Sequence, residues 1–476
     1  MFTKKHYYII IIVSLAVFIT NLDLSIVNIA LPTLARKFNV NIDVVSRILL
    51  SYLLAYCGLL LPFGRLADIK GIVKIFKLGF IIFTISSLFC SLSVNITMLI
   101  VFRFIQGVGG SLLLSTFGAI IIQYMPSEKM GRVFGLMSLF GGSSIAIGAP
   151  MGGFILKYLP WYWLFLINIP IGVVALILAH INLEDKPSEV EEQTFDFTGA
   201  VLIFLGLVSL TYGLHEGSDL GWTSSIIIGS FLLSFVSISI FIIREIRHKY
   251  PVLDIFLFKN IYFSCGLLAN LIACMVLDGS NLIFPFYFEL ARGYTPDRTG
   301  LLLMLFPILI SFIGPVSGFL CDRIDPRIMC AGGMALLLVA SVMIMSFNQL
   351  TPIFLIVLSF IIYGAGFALF FTASPTVVLS HAPENKEGMV NAINSFVLYL
   401  GTTLGICIFE TIFSLTISSV ENTSLSSIAP QYIVKGLHNV FIFAIIITII
   451  GFMASVIAKR KKVSSLKRYP TAKIGF

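Results

Sequence analysis

Fourteen apolar stretches, each long enough to cross a bilayer as a helix, follow one another along this 476-residue chain with short polar breaks between them. They run near 7–31, 47–67, 75–94, 97–122, 132–156, 162–182, 197–215, 223–243, 261–289, 297–320, 328–347, 352–373, 390–418 and 437–458. A soluble fold has nowhere to bury so much: 58% of the residues are hydrophobic, only 11% are charged, and the mean hydropathy is +1.01. A segment inside lipid must also satisfy its own backbone polar groups, which leaves helices as the economical solution. The fold class that follows is an all-α polytopic membrane protein with 14 transmembrane helices.

Charge orients the chain. Of its 31 Lys and Arg residues, 23 fall in the tail or in loops on the N-terminal side, against seven in the opposite loops. That excess predicts two cytoplasmic termini and a multi-pass protein of the cytoplasmic membrane. The net charge of +8 comes largely from the tail, 459–476. A basic tail beside a membrane is an anchor for lipid headgroups, and no nucleic-acid site is expected. Lys4 and Lys5 give the first span the flank of a signal sequence, but its length and its acid mark it as a retained span. The seven cysteines (Cys57, Cys90, Cys265, Cys274, Cys321, Cys330, Cys407) have no metal or redox spacing and read as packing residues. The six histidines lie at span ends or in loops, so no histidine relay through the membrane is expected.

The residue that least belongs is Asp23, two-thirds of the way along the first span in Leu22 to Pro32, LDLSIVNIALP. An ionised carboxylate at that depth costs roughly 2.5–3.5 kcal/mol on insertion scales, so it has to face other helices or water. At about 100° per residue, Thr20 lies near Asp23, while Asn21, Ser25 and Asn28 form a second polar stripe almost opposite. A helix polar on two sides belongs inside a bundle. In the fourth span Arg103, Gln106, Gly107 and Gly110 stand at i, i+3, i+4 and i+7 and share a face. The glycines permit close helix approach while Arg103 supplies an intramembrane charge. Asp23 lies eight residues before the end of its span and Arg103 six residues into its own. Those depths are about 12 Å and about 9 Å from the same side. The match predicts that the two interact, directly or through water.

Motifs recur at offsets of 253–255 residues: Gly64-Arg-Leu-Ala-Asp68 with Gly318-Phe-Leu-Cys-Asp322, Asp23 with Asp278, and Gly148 and Gly152 with Gly401 and Gly405. They imply two six-span halves, 1–183 and 260–458. An acidic linker (184–196) and an inserted span pair with its connecting loop (197–259) separate them. Parallel six-span repeats around a midplane site are how many secondary transporters are built. Asp278 then sits at nearly the depth of Asp23, where the two acids could flank one cavity. Asp68 and Asp322 stand at helix ends on the terminal side, positioned to latch a conformation rather than to touch substrate. Glu410 in span thirteen faces either the cavity or a neighbouring helix, and Glu289 and Asp219 are placed at the outer surface.

These residues, in this order, resemble the major facilitator superfamily, and within it the fourteen-spanner drug:proton antiporter branch, over nearly the whole chain. The resemblance rests on LDLSIVNIALP, on Gly64, Leu66, Ala67, Asp68 and Gly71 in the loop after span two, and on RFIQGVGGS from Arg103. GAPMGG from Gly148, WYWLFLINIPIG from Trp161 and FPFYFELARGYTPDRTGLL around span nine complete it. The chain departs from the pattern at Ile69 and Ile72, where the loop motif usually carries Arg, and at Ala149, which displaces the usual proline to Pro150. Tyr162, Leu398 and Tyr399 are further departures. The resemblance implies two six-helix halves with an inserted two-helix hairpin. It places proton coupling on Asp23, Arg103 and Glu410, and substrate binding on Asp23, Asn28, Asp278 and Glu410. Conformational roles fall to Gly64, Asp68, Gly71, Gly107, Gly148, Pro150, Gly152, Gly153, Gly318, Asp322 and Arg323.

No phosphate-binding loop is present, so direct ATP drive is not expected, and neither is any cofactor or metal. A membrane carboxylate that takes a proton on one side and releases it on the other is the alternative energy input. The expected function is proton-coupled export of small, amphipathic, cationic compounds by a monomer among membrane lipids. A dedicated exporter of one metabolite, peptide or lipid-like molecule would use the same fold. A non-transporting sensor or scaffold would not require Asp23, Arg103 and Asp278, and no nucleophile–base pair suggests an enzyme.

Overall fold

The computed structural model describes residues 4–125, 130–184, 196–247, 253, 255–321, 323–381, 387–418 and 429–458, and the regular elements among them are all helical. The first half comprises α1 (Lys4–Phe38), α2 (Ile42–Lys70), α3 (Ile72–Ser91), α4 (Ile96–Tyr124), α5 (Met130–Tyr158) and α6 (Asn168–Asn182), the last preceded by one turn at Trp163–Leu166. The inserted hairpin is α7 (Phe197–Leu220) and α8 (Ser225–Arg247). The second half comprises α9 (Ile261–Phe286, continued by a π-turn at Tyr287–Ala291) and α10 (Pro296–Leu303 and Leu305–Cys321, broken at Met304). It continues with α11 (Pro326–Met345), α12 (Ile353–Leu379), α13 (Glu387–Ser418) and α14 (Pro430–Ile457). Thirteen helices among the described residues are long and apolar enough to cross a membrane. The fourteenth span is α5, a 29-residue helix.

Capping sets several of the starts. Asn95, Asp196, Asn260 and Asp325 each accept a backbone N–H of the following first turn, and proline opens α10, α11 and α14. Gly71 separates α2 from α3 with φ of 101°, a left-handed conformation in which a Cβ would be strained. Helices extend beyond the apolar stretches at many ends, because hydropathy marks only the part in lipid. Span six is the exception: it breaks at Ile167 after a single turn.

The repeat is visible in the packing. α1 lies along α5 and α6, α3 along α4 and α6, and α2 along α4; α9 lies along α13 and α14, α11 along α12 and α14, and α10 along α12. Gly148 and Gly152 bring α5 against Ser25, Ile26 and Ile29 of α1, and Gly401 and Gly405 bring α13 against the backbone of Leu271 and Met275 in α9. The halves meet where α2 packs on α13 and α5 on α10, with α1 beside α9. α7 rests against both α2 and α13, so the hairpin touches each half. α8 packs on α7 and turns an exposed apolar face outward, including Ile226, Leu232, Phe235 and Ile243, as a lipid-facing helix does. Since the fourteen spans are even in number, the start of α1 and the end of α14 lie on one side, the terminal face; the other is the distal face.

Candidate functional site

Asp23 and Arg103 meet. Both side chains are fully buried, and Arg103 Nη1 donates to Asp23 Oδ2 as a direct ion pair. The carboxylate's other oxygen accepts from Gln106 Nε2 at 3.0 Å and from Asn168 Nδ2 at 2.7 Å. Gln106 is itself tied in, donating to Ser87 Oγ at 2.8 Å and accepting from Arg103 Nη1 at 2.7 Å. Arg103 Nε reaches the Ile48 carbonyl at 3.3 Å, and the guanidinium carbon lies 4.4 Å from the centre of the Tyr52 ring. Five helices of one half therefore converge on a single charge pair, which is how a buried ion pair offsets its desolvation. Gly107 makes room: a Cβ there would run into the Tyr52 carbonyl and the Ala55 side chain. Among the described residues, Arg103 Nη2 and the Tyr52 hydroxyl find no hydrogen-bond partner.

An aromatic column leads away from this pair toward the other half. Tyr52 stacks on Tyr56 at 5.4 Å, and Tyr56 meets Tyr399 of α13 edge-on at 4.7 Å with the hydroxyls 3.5 Å apart. One turn beyond Tyr399, Thr402 donates to Asp278 Oδ2 at 2.6 Å. Asp278, half-buried on α9, and Asp23 thus have separate partners at the two ends of this column. Asn28 also stands apart from Asp23. Its stripe faces α5, where Ser25 donates to the Ile145 carbonyl at 3.0 Å, and the buried Asn28 Oδ1 has no partner among the described residues.

Glu410 is buried on α13 and faces the inserted helix, with Oε2 3.4 Å from His215 Nε2. His215 Nδ1 lies 3.4 Å from Glu216 Oε1, and Ser46 of α2 lies 3.2 Å from Nε2. His215 thus sits at a span end, as its position in the sequence implies, and it is buried there beside a membrane carboxylate. Glu289 departs from expectation. Its side chain is 1% exposed, and Arg36 Nη2 of α1 donates to it at 2.6 Å, joining the two halves at the distal face. Lys157 of α5 and Asp297 of α10 form a second distal tie at 2.8 Å. The side chain of Asp219 lies outside the described residues.

A model of the Major Facilitator Superfamily matches residues 13–406 and again 266–471. The chain belongs to the Major Facilitator Superfamily. The overlapping second match covers the later half, in keeping with the internal repeat. The riboflavin transporter RibZ of Clostridioides difficile is 27% identical over 467 residues, covering 97% of this chain and all of the relative. The multidrug resistance protein Stp of Mycobacterium tuberculosis is 27% identical over 423 residues, covering 89% of this chain and 78% of the relative. A crystal structure of a bacterial homologue of the human lysosomal transporter Spinster, inward-facing and unoccupied, aligns with a TM-score of 0.67 at 14% identity. It covers 96% of this chain and 98% of that one. The protein is a superfamily transporter, not an enzyme.

The superfamily's loop residues lie at the terminal face. Asp68 is about half exposed, with Arg65 of its own helix 4.0 Å away. Gly64 and Gly318 are not tight contacts, since a Cβ at either would touch Ser115 or Thr372 only at ordinary van der Waals distance. Arg323 lies 4.3 Å from the Phe319 ring centre, and Asp322 falls outside the described residues. On α5, which runs unbroken through Pro150, Gly153 faces Pro296 of α10, while Gly300 of α10 faces Ala149 in return. These glycines let α5 and α10 cross closely at the distal face. Sequence reasoning passed over Asn168, Ser87 and His215. Asn168 carried a signal like that of Asp23, a polar side chain inside an apolar run.

Proposed function

We propose that this transporter exports small, amphipathic, cationic compounds from the cell in exchange for protons, by alternating access. The observation that carries the proposal is the Asp23–Arg103 pair, an acid inside the membrane whose protonation has a mechanical consequence. A proton on Asp23 removes the negative partner of a fully buried guanidinium. Arg103 is then left with Gln106 and the Ile48 carbonyl, too little to hold a cation out of water. Restoring its solvation favours a shift of α4 against α1, and proton binding becomes helix movement.

Asp278 with Thr402 supplies a half-buried negative site for a cationic substrate, and Glu410 is a second acid available to coupling. The excess of Lys and Arg makes the terminal face cytoplasmic. The Arg36–Glu289 and Lys157–Asp297 ties then close the outer side, the state in which a cytoplasmic substrate is admitted. The partners in this scheme are small molecules, protons and the surrounding lipid, with the protein acting as a monomer. The test is flux in proteoliposomes with a pH gradient across the membrane and a panel of cationic dyes. Wild-type protein exports dyes and carries protons in return; Asp23→Asn inserts and folds but loses gradient-driven export. Undiminished export by that variant removes Asp23 from the mechanism.

The end-to-end match with RibZ supports a second reading, a carrier dedicated to one metabolite. The same panel separates the two. Transport of many unrelated cations favours the first, and transport of a single compound class, flavins included, favours the second.

A further inference from the structure

The superfamily core accounts for twelve of the helices, and the inserted hairpin has no part in the scheme above. Its first helix nevertheless ends in a cluster of titratable groups drawn from three elements. α7 contributes His215 and Glu216, α13 contributes Glu410, and α2 contributes Asp43, Ser46 and Arg47. Arg47 Nη2 lies 2.7 Å from Glu216 Oε1 and 3.8 Å from Asp43 Oδ2. Three carboxyl groups and one guanidinium surround the imidazole, which bridges Glu216 on one nitrogen and Glu410 on the other. The distal end of α8 brings no charged side chain, and Asp219 lies in the last turn of α7.

We propose that His215 and Glu410 together form a second proton-binding site, contributed by the insert and loaded from the distal side. It deepens the proton-coupled reading above and rests on it for the direction in which the proton travels. The site is built where a proton can have leverage. α2 and α13 belong to opposite halves, and α7 is fastened to both. Thr411 Oγ1 and Cys407 Sγ of α13 donate to the Leu214 and Thr211 carbonyls at 3.1 and 3.5 Å, while Ser46 and Arg47 of α2 engage His215 and Glu216. When the halves rock apart at this face, α7 cannot stay bonded to both. A proton shared between His215 and Glu410 binds the insert to α13 by a charged hydrogen bond. Its loss leaves two anionic carboxylates on either side of a neutral ring, and the insert is released to follow α2. The hairpin is in this sense a proton-controlled strut between the halves.

The three tryptophans make the test independent of substrate. Trp222 lies over Gly217, two residues beyond His215, and Trp161 and Trp163 are replaced by Phe to leave it as sole reporter. The protein is placed in lipid nanodiscs and Trp222 emission is followed between about pH 5 and 8, the range in which an imidazole changes charge. The expected result is one transition in the parent, lost in His215→Gln and in Glu410→Gln, and retained in Asp23→Asn. A transition unchanged in either of the first two, once thermal unfolding shows them folded, overturns the proposal. Misfolding of both assigns the pair to structure and overturns it equally. Proton flux measured on the same samples separates this site from the wider reading. A His215-dependent transition without proton-coupled flux leaves the site standing and sinks the coupling.

Discussion

Replacing Asp23 by Asn and Arg103 by Gln, singly and together, tests whether the buried pair acts as one unit. Three donors, Arg103 Nη1, Gln106 Nε2 and Asn168 Nδ2, converge on two carboxylate oxygens. An Asn at that position offers one acceptor and one NH₂ group, so at least one donor is left facing another donor. Arg103 meanwhile keeps its charge at zero exposure. Removing one member of a buried ion pair costs about 3–5 kcal/mol, and Asp23→Asn belongs in that range. Arg103→Gln should cost somewhat less, about 3 kcal/mol, because Gln106 and Asn168 still hold the carboxylate. The double variant brings two neutral amides together in place of two charges. It should be more stable than the sum of the single losses by about 2–3 kcal/mol. The assay is denaturant-driven unfolding in mixed micelles, paired with proton-coupled flux in vesicles. Losses that add to within about 0.5 kcal/mol, with fluxes that also multiply independently, would mean that the residues act separately and that protonation of Asp23 does not work through Arg103.

Gly153→Val places a branched side chain against the Pro296 backbone and should hold the distal face open. Labelling of cysteines introduced near Lys157 and Asp297 would rise several-fold, and no rise would contradict the closed crossing of α5 and α10. Asp278→Asn should weaken cationic substrates more than neutral ones, by about tenfold for the loss of one charged contact of about 1.4 kcal/mol; equal loss for both kinds assigns Asp278 to packing or coupling. Gly71→Ala forces a Cβ into a left-handed φ and should destabilise the protein by about 1–2 kcal/mol, read as a lower unfolding temperature with the transport rate per folded molecule retained.

The architecture was legible because a bilayer imposes a length on each element and a cost on each polar intruder. Span count and pairing of the repeats follow from those two constraints. The Asp23–Arg103 contact was legible for the same reason: two unpaired charges at one depth have few ways of being satisfied. Depth along a helix is readable from sequence, whereas azimuth between helices is not. Glu289 therefore looked superficial but turns onto Arg36 of the other half. His215 was concealed by its position. At the end of an apolar run it resembles an interfacial residue, and only the packing of α7 between α2 and α13 buries it.

One contrast between the halves reaches beyond the site itself. Arg103 has no counterpart in α12: the equivalent position in the repeat is Val357, and Gln106 corresponds to Phe360, which packs in an aromatic cluster with Phe284 and Phe288. Where the first copy of the six-helix unit holds a charge network, the second holds interlocked rings. On the coupling proposed above, the Asp23–Arg103 switch belongs to the first copy alone, and the matching positions of the second are left to packing. Swapping α9–α14 between related transporters should then exchange their cargoes while gradient-driven export still requires Asp23 and Arg103 of the recipient's first half.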